Sequence, residues 1–326
     1  MTDEGLLNRI FGHGSGETAM KVRDITYITN QADVVLDPAC KEIVQPFGVL
    51  DSAASLAVLA AKLELDRKLH AGPQTSPMAL IRMAAVQLNW LPTSTERSIG
   101  ARMLASSSEM ILDEDHSSAS KSTYAHARQT LAQVLAQIHE PLPYTFQIFV
   151  LKEKQENAAS LPGGTILVDE DLFDRDWNPS VAFFKVAHEV SHVLQRHQTR
   201  MYQARLADGI ATVQDLRKLV AKANNQPAEI VGRIIGLKHL MVEFTASQEL
   251  QADACAVRLI RSHFAQADLG GMQHAIIESL GPVEPVAQDA DTLLPQASKL
   301  VNGEFERHPN TSERRKNLDA MFASRG

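Results

Sequence analysis

The pentapeptide His188-Glu189-Val190-Ser191-His192 constrains this chain more than any other stretch. It sits in an apolar segment in which Phe183, Val186, Val190, Val193 and Leu194 share one face at helical spacing. Asn178-Pro179 reads as the start of that helix, with Asn178 as cap and Pro179 in the first turn. On a helix, residues i and i+4 lie one above the other. His188 and His192 therefore project together, roughly opposite the apolar face. Each can give a ring nitrogen to one tetrahedral zinc ion. Glu189 can then take a proton from a water at that ion. His197 falls a turn further on and is expected to compensate the helix dipole rather than to ligate.

Two histidines leave such a site one protein ligand short. Glu249, in Ser247-Gln248-Glu249-Leu250-Gln251-Ala252-Asp253, is the best candidate for the third. Asp253 lies one helical turn beyond it and faces the same way. A carboxylate in that position can accept the proton on the far nitrogen of a ligand histidine. Ala252 and Ala256 lie on the same side and allow this helix to approach the His188 helix closely. The expected cofactor is one zinc ion per chain, held by mixed imidazole and carboxylate ligands.

The remaining segments bound the fold and exclude some functions. Residues 1–20 read as a flexible N-terminus, and residues 21–140 as a helical region with helices over 52–70, 76–88, 93–112 and 121–138. Residues 141–326 carry the motifs. After Pro143 the pattern turns to strand, from Tyr144 to Leu151, followed by a Pro162-Gly163-Gly164 turn and a short strand, Thr165 to Val168. The proline and glycines suit the edge of a sheet. The polar stretch from Arg200 to Gln226 is long enough to act as a lid. A helical region, one helix or two, runs from Pro227 to about Phe264. Two cysteines, Cys40 and Cys255, are too few for a disulfide framework, and Cys255 is expected to be a buried small hydrophobe. The net charge of −7 leaves no basic surplus to neutralise phosphates, which excludes non-specific nucleic-acid binding. The sequence has no apolar run of about 18 residues and no leader-like start, which predicts a cytoplasmic protein without a membrane span.

Near the C-terminus, Thr311 can cap a helix that follows Arg307-His308-Pro309-Asn310. The order Asn157, Pro162-Gly163-Gly164, H-E-x-x-H, E-x-x-x-D, then His308-Pro309-x-Thr311-x-x-Arg314 resembles metallopeptidase family forty-eight. That is the gluzincin family of the HtpX heat-shock proteases, the CaaX prenyl endopeptidases and soluble bacterial relatives. The resemblance covers roughly residues 144 to 320. It implies an α+β, mostly helical, gluzincin-type domain with a small β-sheet whose edge strand lines the active-site cleft. It implies His188, His192 and Glu249 as zinc ligands, Glu189 as general base and Asp253 as the carboxylate behind a ligand. It places His308 and Arg314 near the active site, where they can stabilise an oxyanion. Pro162, Gly163, Gly164, Thr165, Ile166, Leu167 and Val168 become the substrate-binding edge. Ala159 stands where the family often has an aromatic residue, and the membrane helices of the HtpX and prenyl-protease branches have no counterpart. The implied function is zinc-dependent endopeptidase activity on unfolded or flexible protein segments, as in protein quality control. The alternative is a catalytically silent or latent metal-binding, chaperone-like protein that binds extended peptides.

Overall fold

The computed structural model describes residues 40, 90–139, 142, 144–154, 157–174, 176–207, 210, 212–237, 246–265, 268–281 and 312–323. In chain order these form α1 (Thr93–Ser106), α2 (Ser118–Ala136), β1 (Gln147–Leu151), β2 (Ala158–Leu161), β3 (Thr165–Asp169) and α3 (Pro179–Leu194). Then follow α4 (His197–Ala207), α5 (Val213–Asn225), α6 (Pro227–Leu237), α7 (Ala246–His263), α8 (Leu269–Ser279) and α9 (Ser312–Ala323). The fold is thus mostly helical around a small sheet. The chain groups into two compact units. One takes residues 90–95 and Thr199–Ile234; the other takes residue 40, Glu96–Gln198 and the described residues from 235 on.

In the second of these units the sheet has the order β1-β3-β2. β1 runs parallel to β3, with Gln147 opposite Thr165, and β2 runs antiparallel to β3, with Ala158 opposite Val168. The expectation that Thr165–Val168 forms an edge is therefore overturned: β3 is the central strand, with a partner on each side. Proline and glycine in the preceding turn set how the chain enters β3 and do not determine what pairs beside it. Among the described residues no strand pairs with the outer side of β2, whose residues are all buried. Asp169 N–H donates to Asn157 O at 2.9 Å, which fixes the alternation. Ala159 and Leu161 share that parity and bond to β3, while the backbone groups of Ala158 and Ser160 point outward.

Side-chain alternation splits the sheet into two faces. Ile148, Val150, Ala158, Ile166 and Val168 join a core with Tyr124, Leu131 and Val134 of α2 and Phe183, Val186 and Val190 of α3. Leu151, Ala159, Leu161 and Leu167 form a smaller cluster with Met103 and Leu104 of α1. α1 lies directly on the Pro162–Gly164 turn. A Cβ at Gly163 would meet the Arg97 backbone at 2.5 Å, and one at Gly100 would meet Pro162 O at 2.1 Å. Gly163 and Gly164 also have φ of 86° and 106°, which only glycine adopts without strain. The turn expected to hold substrate is thus covered by a helix. The helix expected over 93–112 stops at Ser106, and a 3-10 turn at Ser108–Met110 replaces its last part.

α3 starts as its sequence dictates: Asn178 Oδ1 accepts from the backbone N–H of Ser180 at 3.0 Å and of Val181 at 3.3 Å. From Ser180 to Leu194 only Lys185 escapes full burial, so the helix is enclosed on all sides. It ends at Gln195, and Arg196, at φ 57°, breaks it before α4 begins at His197. α7 packs along α3. Ala252 and Ala256 are both fully buried, as close helix approach requires. The region from Pro227 to Phe264 forms two helices, with 238–245 outside the described residues. Cys255 is not an isolated hydrophobe: it forms a disulfide with Cys40, 215 residues away in sequence.

In the other unit, the stretch expected to form a lid is largely helix. Thr212 caps α5 by accepting from Asp215 N–H at 3.1 Å. Leu216, Leu219 and Ala223 form the buried face of α5, and Ile230 and Ile234 that of α6. The helices expected over 52–70 and 76–88, and the N-terminal segment, lie outside the described residues.

Candidate active site

α3 and α7 bring together the residues that their i, i+4 spacings select. His188 Nε2 lies 3.5 Å from Glu249 Oε2, His192 Nε2 lies 3.4 Å from Glu249 Oε1, and the two Nε2 atoms are 2.9 Å apart. One ligand atom from each of the three residues falls within 4.8 Å of the others. His188, Glu189, His192, Glu249 and Asp253 are each at most 3% exposed. Two imidazole nitrogens and one carboxylate oxygen form a donor set that suits zinc and leaves a fourth position open. The residues present therefore fit the expected ion.

Behind His188, Asp253 Oδ1 lies 2.8 Å from Nδ1, as the E-x-x-x-D spacing anticipated. Asp253 is itself gripped by Arg314 of α9, whose Nε donates to Oδ2 at 2.7 Å and whose Nη2 donates to Oδ1 at 2.8 Å. Arg314 Nη1 lies 2.8 Å from Glu249 Oε2. The guanidinium expected to serve an oxyanion is thus directed at two carboxylates, one of them a candidate ligand. Burial works against the charged form of each group here, and the neighbours decide the outcome. For His188, the hydrogen bond and charge of Asp253, with those of Glu249, overcome burial and raise the pKa. For Asp253, the charge of Arg314 and the contact with His188 overcome burial and lower it. For His192, burial prevails and lowers the pKa to about 4.

His197, expected to compensate the helix dipole, is fully buried and joined to the site. Its Nδ1 lies 2.8 Å from His192 Nδ1, and its Nε2 lies 3.0 Å from Gln251 Oε1 on α7. Burial first, and then the neighbouring His192, push its pKa well below the ordinary value. The backbone carbonyl of His197 accepts from Gln248 Nε2 at 3.3 Å. Sequence reading missed this residue because helical geometry puts position 197 about 140° around from 192. The Arg196 break brings it back.

Arg196 is held by a buried ion pair, Nε to Glu96 Oε1 at 2.9 Å, and Glu96 Oε2 accepts from Tyr144 Oη at 2.7 Å. α1 and the start of the sheet thus anchor the break. Immediately after His197, the Gln198 side-chain amide donates to the outward-facing carbonyl of Ser160 on β2. The outer side of β2 and the helix break following the second histidine are thereby joined. His308 lies outside the described residues.

The family model described as peptidase family M48 matches residues 121–322. Among curated proteins, the beta-barrel assembly-enhancing protease of Escherichia coli (strain K12) is 30% identical over 120 residues, covering 36% of this chain and 25% of that protein. Its namesake in Yersinia pestis is 28% identical over 120 residues, with 36% and 25% covered. The namesake in Escherichia coli O157:H7 is 25% identical over 120 residues, with the same coverage. The chain thus matches about a quarter of the length of these relatives.

Proposed function

The chain belongs to peptidase family M48, and on that footing we propose that it is a zinc-dependent endopeptidase acting on unfolded or flexible protein segments. One observation carries the reading: His188, His192 and Glu249 converge on one buried position, with Glu189 in the same motif. A zinc ion held there supplies Lewis-acid chemistry, acidifying water to a pKa of about 7 and polarising a carbonyl. Glu189 is the general base: it takes a proton from the attacking water and returns it to the leaving amine. Asp253 holds His188 by its Nδ1, and Arg314 holds both Asp253 and Glu249 in place. His308 remains the proposed oxyanion donor.

The substrate reads against the outer side of β2; Ala158 and Ser160 are 4% and 2% exposed, so it must first displace what covers them. Edge pairing gives affinity through main-chain bonds and asks little of the sequence. That suits flexible segments as substrate and is the basis for a role in protein quality control. Gln198 occupies the Ser160 carbonyl, so an incoming strand competes with that side chain for it. Among the described residues no helix is long and apolar enough to cross a membrane. The Cys40–Cys255 disulfide favours an oxidising compartment over the cytoplasmic location that the sequence suggested, because cytosolic thiols are kept reduced.

The test compares zinc-loaded wild type with Glu189→Gln on casein and on a flexible peptide. The variant should retain zinc and lose cleavage by about a thousandfold or more. Equal cleavage by both proteins, or none by zinc-loaded wild type, rejects the peptidase reading.

A further inference from the structure

We infer that His197 and Gln251 are positioning residues that fix the tautomer of His192, so that its Nε2 lone pair faces the metal position. The inference rests on the metallopeptidase reading for what His192 must do, but the geometry that carries it is independent of catalysis.

The argument follows the donors and acceptors. Gln251 Oε1, an amide oxygen, only accepts, and it lies 3.0 Å from His197 Nε2. His197 therefore carries its proton on Nε2. The Nδ1 of that neutral ring is a lone pair and only accepts. Across 2.8 Å from it, His192 must place its own proton on Nδ1. His192 Nε2 is then a lone pair, facing Glu249 Oε1 and His188 Nε2. With the Gln251 amide reversed, every proton in the chain reverses, and His192 Nε2–H points a proton where a metal must bind. The orientation of one glutamine amide thus sets the ligating capacity of a histidine two hydrogen bonds away.

The two ligand histidines have unlike supports. His188 is backed by an anionic carboxylate, which strengthens it as a donor. His192 is backed by a neutral relay, which fixes orientation without adding charge. Asp253 and Gln251 both lie on α7, which also carries Glu249, whereas His197 itself opens α4. One helix therefore supplies the third candidate ligand, the partner of His188 and, at one remove through His197, the group that orients His192.

The test has two readings. The first is long-range nitrogen–proton correlation of the imidazoles in the metal-free protein, assigned with His197→Phe and His192→Phe. It should show His197 protonated on Nε2 and His192 on Nδ1; the reversed tautomers overturn the inference. The second is zinc affinity by competition with a chromogenic chelator. His197→Phe keeps the ring's shape but offers no acceptor, and should bind zinc about 10- to 100-fold more weakly. His197→Asn, whose amide oxygen can take the place of Nδ1, and Gln251→Glu, which can only accept, should stay within about threefold of wild type. The inference falls if His197→Phe binds as tightly as wild type. It falls equally if His197→Asn loses as much as His197→Phe, which marks a packing role. A wild type that binds zinc with the expected tautomers but cleaves nothing rejects the peptidase reading and leaves this one standing.

Discussion

Arg314 grips Asp253 through two nitrogens, and the Oδ1 that accepts from its Nη2 is the same atom that lies 2.8 Å from His188 Nδ1. The last described helix is therefore one residue removed from a candidate metal ligand, and it touches a second candidate, Glu249, directly. All of these groups are buried, so the arrangement is a charge network that tolerates little loss.

Arg314→Leu should leave Asp253 and Glu249 buried without their counter-charge. Removing one partner of a buried pair costs about 3–5 kcal/mol. Urea unfolding of the metal-free variant should register that loss. Arg314→Lys keeps the charge but not the two-pronged geometry and should fall between. A variant as stable as wild type would show that the network is not under tension.

The pH dependence of the metal-free protein should have a maximum. His192 is depressed to about 4 in the folded state, against about 6.5 unfolded. Its stabilising contribution is whole above about pH 6.5 and is lost as pH falls towards about 4. His188 is shifted upward. Its contribution is whole below about pH 6.5 and is lost as pH rises through its folded value. Asp253 is lowered, so its contribution disappears only in more acid solution. His197 is shifted downward as well and adds to the loss on the acid side, so chelated protein should be most stable just above about pH 6.5 and lose about 2–3 kcal/mol by about pH 5. Urea midpoints at pH 5, 6.5 and 8 give the answer; a steady rise or fall across that range contradicts the assignment of the two shifts.

The Cys40–Cys255 bond closes a loop of 215 residues. Chain entropy assigns such a loop up to about 5 kcal/mol, and removal of native disulfides typically costs about 2–5 kcal/mol. Cys40→Ser paired with Cys255→Ser should show a loss in that range. Alkylation of intact cells before and after reduction checks the compartment. Thiols already free in cells would return the protein to the cytoplasm.

The sequence shows the candidate site and its candidate ligands more clearly than what surrounds them. His188, His192, Glu249 and Asp253 are legible because each pair obeys helical spacing, and a helix converts spacing directly into direction. The Asn178 cap is legible for the same local reason. Arg314 could be singled out but not its target, since the contact with Asp253 spans 61 residues. The place of Thr165–Asp169 at the centre of the sheet depends on which strand pairs beside it, which no local turn chemistry fixes. The partnership of Cys40 and Cys255 is likewise a matter of tertiary folding. His197 was hidden for a subtler reason: periodicity assumes an unbroken helix, and the break falls on an arginine rather than a glycine.

That break has a consequence for how the site can change over time. Arg196 holds a left-handed backbone conformation that costs a non-glycine residue about 1–2 kcal/mol. It is fastened by Glu96, a hundred positions earlier. On an unbroken helix the imidazole of His197 would point away from His192. The direction of that ring therefore hangs on one torsion angle, locked by a residue that is not among the candidate ligands. Substitutions at 96 and 196 should be accepted together or not at all. A drift in either alone would first show as a loosened histidine rather than as a broken fold.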